Sequence, residues 1–136
     1  MNKKRLYLTL ALSLLIFIII FVIYSYRGDN AAGQEKEQIY GRLVDEAGRC
    51  EHYHSPLDII ANRCATCGKL YSCYRCHNEL EDHDFAPVDE DEPATVMCGV
   101  CGAKFSYKTY SSLTNCTTCG AQFNPRCSLH KDIYVK

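Results

Sequence analysis

Cys64-Ala-Thr-Cys67-Gly-Lys-Leu-Tyr71, Cys98-Gly-Val-Cys101-Gly-Ala-Lys-Phe105 and Cys116-Thr-Thr-Cys119-Gly-Ala-Gln-Phe123 share one pattern: Cys, two residues, Cys, Gly, two residues, aromatic. A Cys-x-x-Cys turn aims two sulfurs at one ion with its amides facing them, and the Gly supplies the left-handed residue such a turn needs. Three copies, with further Cys and His nearby, read as zinc knuckles. The chemistry is metal binding.

The remaining donors complete the sets. Cys76 and His77 are adjacent, and adjacent side chains diverge on a strand and lie about 100° apart on a helix, so they serve different ions. Cys50 and His52, two apart on a strand-like segment, share a face and join Cys73 and Cys76 around a first zinc. Cys64 and Cys67 join His77 and His83 around a second. Cys98, Cys101, Cys116 and Cys119 form a third, with a spacer like the hairpin of a zinc ribbon. His54, Cys127 and His130 are left over. His54 could exchange with His52, and Cys127-x-x-His130 is either half of a labile fourth metal position or a structural pair.

Ten cysteines could instead build a disulfide scaffold. Eight of them fall in Cys-x-x-Cys pairs, a spacing that suits one ion better than two crosslinks. Histidine has no part in a disulfide framework, yet here it completes the ligand count.

Cys50-Glu-His52-Tyr53, the later Cys-x-x-Cys, Cys-x-x-Cys-His and His83 resemble the CHY-type zinc finger. Tyr40-Gly-Arg-Leu-Val-Asp45 and the ending Phe123-Asn-Pro-Arg-Cys127 look like its free-standing form. The resemblance covers residues 39–136 and implies three zinc ions, an interleaved pair and a separate third. It also implies a setting: family members occur beside RING modules in ubiquitin ligases. A free-standing form is linked to assembly of small cysteine-rich proteins between mitochondrial membranes. No RING follows here, so the ligase role does not carry over.

These donors need elements to hold them. Cys73 to Asp82 lacks the knuckle Gly and has good helix formers, which predicts a short helix. Leu70-Tyr71, Lys104 to Tyr107 and Gln122-Phe123 are strand candidates. The acidic run from Glu79 to Glu92 reads as a solvated joint. The expected fold is a small zinc-stabilised α+β or irregular domain of knuckle hairpins and a short helix, preceded by one transmembrane helix. Residues 39–92 carry the two interleaved sites, and residues 93–136 the ribbon-like third site and tail. Only about a fifth of the residues after 38 are Leu, Ile, Val, Phe or Met, and the chain has no Trp. A body that small and that poor in aliphatic surface needs staples.

Ahead of it, residues 1–5 are a basic head. Residues 6–26 hold no charge and as a helix reach about 31 Å, enough for a bilayer core. Residues 27–38 read as a tether. Lys3, Lys4 and Arg5 place the N-terminus in the cytoplasm and the zinc domain outside it. The expectation is a single-pass signal anchor in a bacterial cell membrane.

Excluding Lys3, Lys4 and Arg5, the chain carries 12 basic and 16 acidic residues. That balance opposes nucleic-acid binding, which needs a basic face. Four protein ligands per ion leave no open position, so no enzyme is expected. Seven tyrosines follow residue 39, and aromatic surface suits protein contacts. The expected function is a membrane-anchored interaction or assembly module with an unidentified protein partner. The alternative is a thiol- or zinc-exchange or redox-handling helper for cysteine-rich proteins.

Overall fold

The computed structural model describes Tyr7, residues 12–22 and residues 36–136 of the 136-residue chain. The chain divides into two compact units, Met1–Gln34 and Glu35–Lys136.

In the first unit, residues 12–22 are helical. Among the described residues no helix is long and apolar enough to cross a membrane. The transmembrane helix expected over 6–26 is therefore not supported; its positions 6, 8–11 and 23–26 lie outside the described residues, as do the basic head and most of the tether.

The second unit is an α+β domain built on one five-stranded sheet. Its strands are β1 (Ile39–Tyr40), β2 (Ile60–Arg63), β3 (Leu70–Tyr71), β4 (Val96–Cys98) and β5 (Lys104–Phe105), in the order β1-β3-β2-β4-β5. β1 runs parallel to β3, and the other pairs are antiparallel. Side chains alternate along a strand, and β2 shows the consequence. Ala61 packs with Ile39, Leu70 and Met97 in a small cluster, while Ile60 joins the larger one with Val96, Phe85, Tyr107, Tyr110 and Tyr134. Helix α1 (Tyr74–Leu80) follows β3, and α2 (Tyr107–Ser111) follows β5. A 3-10 turn, Pro125–His130, leads into α3 (Lys131–Tyr134).

Three elements differ from the sequence reading. The strand expected over Lys104 to Tyr107 stops at Phe105, because Ser106 caps α2 by accepting from the Thr109 N–H at 3.2 Å. Gln122 makes only an isolated bridge to Asn115. The acidic run is tied to the body of the domain while carboxylates such as Asp82, Asp89 and Asp91 stay exposed. The Val88 N–H donates to Tyr134 O at 3.0 Å, and the Lys136 N–H donates to Val88 O at 3.1 Å. Glu90 meets Lys131 at 3.0 Å, and Asp91 meets Lys108 at 2.8 Å. The sheet also crosses the joint expected at residues 92–93, since Ile60, Ala61 and Asn62 of β2 pair with Cys98, Met97 and Val96 of β4.

Glu37 fastens the sheet's edge. It takes two bonds from the Arg63 guanidinium, at 2.8 and 3.0 Å, and one ion pair from Lys104 at 2.6 Å. The Arg63 guanidinium, opposed by burial and helped by Lys104, holds the Glu37 carboxyl at about 2, against its usual 4.5. A depressed carboxylate stabilises the fold above its unfolded pKa, and that contribution disappears as pH falls through the folded value. With Glu37 34% exposed, solvent screening leaves about 1 kcal/mol. Glu37→Gln should therefore lower Tm by a few degrees at neutral pH with zinc content unchanged. Calorimetry of both proteins should give a constant gap down to about pH 4.5 that closes toward about pH 2.

Candidate metal centres

The three knuckles fold alike. In each, the Gly N–H bonds back to the carbonyl of the first Cys: Gly68 to Cys64 at 2.9 Å, Gly102 to Cys98 and Gly120 to Cys116 both at 2.8 Å. The first Cys N–H in turn donates to Lys69, Ala103 or Ala121 O. This closure puts each Gly at φ +71°, +79° and +76° respectively, a region that disfavours any side chain.

The turn amides face the sulfurs. Against burial, the N–H groups of Ala86, Cys67 and Thr66 draw the Cys64 thiol down to about 6. Burial likewise opposes, and the amides of Cys119 and Thr118 favour, the fall of Cys116 to about 7. For Cys98 burial wins and pushes the thiol up to about 12. Cys73 works differently: it is the N-cap of α1, and its sulfur accepts from the Cys76 N–H at 3.3 Å. Its sulfur lies 3.7 Å from that of Cys50. Sharing a hydrogen bond with Cys73 draws the Cys50 thiol down to about 4.

Donor atoms converge in three places, those of each group within 4.8 Å of one another: Cys50, His52, Cys73 and Cys76; Cys64, Cys67, His77 and His83; Cys98, Cys101, Cys116 and Cys119. A zinc ion with bonds of about 2.3 Å to sulfur requires a tetrahedral edge of about 3.8 Å. A disulfide requires about 2.05 Å. Sulfur separations of 3.7 Å (Cys50–Cys73), 3.9 Å (Cys98–Cys119) and 3.6 Å (Cys101–Cys116) match the ion, and all ten cysteines are free. Nitrogen–sulfur edges agree, with His52 Nδ1 3.3 Å from Cys76 Sγ and His77 Nε2 3.7 Å from Cys67 Sγ. His83 Nε2 is buried with no hydrogen-bond partner, as a nitrogen reserved for a metal would be. The donor sets fit zinc.

Cys50 and His52 do not sit on a regular strand. Cys50 and Tyr53 exchange main-chain hydrogen bonds at 2.9 and 3.1 Å, and the turn between them swings His52 toward Cys76. His54 is exposed and joins no group. Cys127 and His130 also join none among the described residues. Instead His130 packs on Tyr53 and Tyr74.

Sequence reasoning missed the partners behind each imidazole. His52 Nε2 meets Glu79 Oε1, His77 Nδ1 meets Asn78 Oδ1, and His83 Nδ1 meets Asp82 Oδ1, each at 3.0 Å. Such acceptors fix which nitrogen keeps its proton and turn the other toward the metal. Glu79 and Asp82 belong to the acidic run, so their role was hidden among unremarkable carboxylates. Glu79→Ala should weaken zinc binding at the first centre about 10- to 100-fold, read by competition with a chromogenic chelator, and leave the third centre unaffected.

The CHY zinc finger model matches residues 50–126, a stretch that holds all twelve converging donors. The chain belongs to the CHY zinc finger family. It is 47% identical over 102 residues to "Helper of Tim protein 13" of Kluyveromyces lactis, covering 74% of this chain and 90% of that one. It is 40% identical over 104 residues to the Saccharomyces cerevisiae protein of the same name, covering 72% and 90%. An uncharacterized Schizosaccharomyces pombe protein is 41% identical over 100 residues, covering 72% and 88%. As a CHY zinc finger protein the chain carries three zinc sites. The expected placement, anchored in a bacterial cell membrane with an extracytoplasmic zinc domain, is corrected by two findings. The two relatives named as helpers of Tim are fungal proteins, and no described helix is long and apolar enough to span.

Proposed function

We propose that this CHY zinc finger protein is a zinc-ordered interaction module that assists the assembly of small cysteine-rich proteins. The observation that carries this reading is its likeness, over nine-tenths of their length, to two proteins named as helpers of Tim. Closed metal sites agree with it. Each group offers four protein donors, which leaves no coordination position for a substrate and argues against an enzyme. The acidic balance outside the N-terminal head argues against nucleic acid.

The test is the folding of a reduced small Tim polypeptide, followed by native electrophoresis, with the zinc-loaded chain, the stripped chain or neither. Faster assembly with the loaded chain alone is expected. Equal rates in all three would overturn the reading.

One observation favours zinc exchange as a second reading. Cys119 is the one exposed ligand of the twelve, and an accessible thiolate is open to attack by a competing thiol or metal. Under exchange, a mild chelator removes one zinc per chain from the third centre. Under a pure scaffold, it removes none.

A further inference from the structure

A cleft of about 310 Å³ opens over the face of the sheet that carries Ile60 and Asn62. It touches the first metal centre only at Cys73, and none of the metal chemistry above uses it. Tyr107, Tyr110 and Tyr134 line it, and Cys127 closes one wall. Two features distinguish it from a packing gap.

The first is Asn62, in the middle of the central strand. The residue is 8% exposed, and its carboxamide reaches the cleft and has no hydrogen-bond partner among the described residues. The amide faces the open cleft with no partner from the chain, so it holds a donor and an acceptor free for whatever enters. The second is charge. From residue 36 onward, the other lysines and arginines each donate to a carboxylate or main-chain carbonyl. Arg75 and Arg126 have no ionic partner among the described residues. Arg126 lines the cleft, where the one carboxylate, Asp58, is already held by the Asn124 side chain and the Ser55 N–H, and Arg75 lies near Tyr53 on its wall.

We propose that the cleft receives a tyrosine side chain from an acidic segment of a partner protein. The phenol hydroxyl bonds the Asn62 carboxamide, and neighbouring carboxylates pair with Arg75 and Arg126. The ring suits the aromatic walls, where edge-on contacts prevail. Leu129, 76% exposed at the rim, extends the apolar surface beyond the cleft. A peptide's flanking residue covers that extension; a small molecule filling the cleft does not. This inference rests on the chain acting through protein partners, and it names the surface and the chemistry that surface takes.

The experiment uses the intact, zinc-loaded chain and the peptide acetyl-Asp-Glu-Tyr-Leu-Glu-Asp-amide. The Asn62 side-chain amide signals are followed by nitrogen–proton NMR. Saturable shifts are expected, with about tenfold weaker binding when alanine replaces the tyrosine or when Asn62→Leu removes the carboxamide. Zinc content reports whether Asn62→Leu folds. If it does not, the exposed pair Arg75→Glu and Arg126→Glu decides, by reversing preference toward a lysine-flanked peptide. Three results overturn the proposal: unmoved Asn62 signals, tyrosine amide alone binding as tightly as the peptide, or shifts that follow protein concentration without peptide. Peptide binding by a chain that leaves Tim assembly unchanged sinks the assembly reading and keeps the cleft.

Discussion

Stripping zinc from the intact chain should abolish its cooperative thermal transition and its near-ultraviolet circular dichroism together. A structural zinc contributes on the order of 10–16 kcal/mol in small finger peptides, whereas a whole domain is stable by only about 5–15 kcal/mol. The core offers little in compensation. The larger cluster is itself built around the ligands Cys64, Cys98 and Cys116, the other face of the sheet buries only four residues, and beside the first centre the buried cluster is Cys50, Cys73 and Cys76 themselves. A transition that survives exhaustive chelation would show that packing alone orders residues 36–136.

The second large effect separates the centres. Cys76→Ser should cost two zinc ions per chain and Cys119→Ser one, as counted by elemental analysis. Cys76 supplies the first centre and His77 the second, from one turn of α1. Both residues are fully buried. Losing the first ion frees the N-terminal end of that helix, where Cys73 caps it, and the imidazole of His77 moves with the helix. Cys119 is the exposed ligand of the third centre, which takes no donor from α1. Cys98 of the same centre lies in β4, paired with Ile60. Cys98→Ser should therefore lower Tm more than Cys119→Ser, although both remove one ion. Equal zinc losses for Cys76→Ser and Cys119→Ser would mean that the helix does not couple its two neighbours.

The metal chemistry was legible because it is local. Cys-x-x-Cys-Gly encodes a turn with its own hydrogen bonds, and the adjacency of Cys76 and His77 forces them apart wherever the chain goes. The short helix at Tyr74–Leu80 was legible for the same reason, inside the expected Cys73 to Asp82. What was not legible depends on distant partners. Glu79 supports His52 only because the chain folds back across 27 positions; Asn78 and Asp82 adjoin His77 and His83 in sequence and were passed over as ordinary polar residues. Val88 pairs with Val135 across almost fifty positions, and no periodicity in an acidic run announces that. The apolar run near the N-terminus misled for a plainer reason. Hydropathy measures how well a segment tolerates lipid, and by itself it does not establish a span.

The order of donors along the chain has a consequence for biosynthesis. The first centre opens at Cys50 and closes at Cys76; the second opens at Cys64 and closes at His83. Neither can be finished before the other has begun, so a chain leaving the ribosome holds five unpaired ligands, Cys50, His52, Cys64, Cys67 and Cys73, until α1 emerges. The two ions must then be captured almost together. The third centre begins only at Cys98 and can be filled later on its own timetable. Scarcity of metal during synthesis would thus yield molecules lacking a pair of ions more often than molecules lacking either member of it.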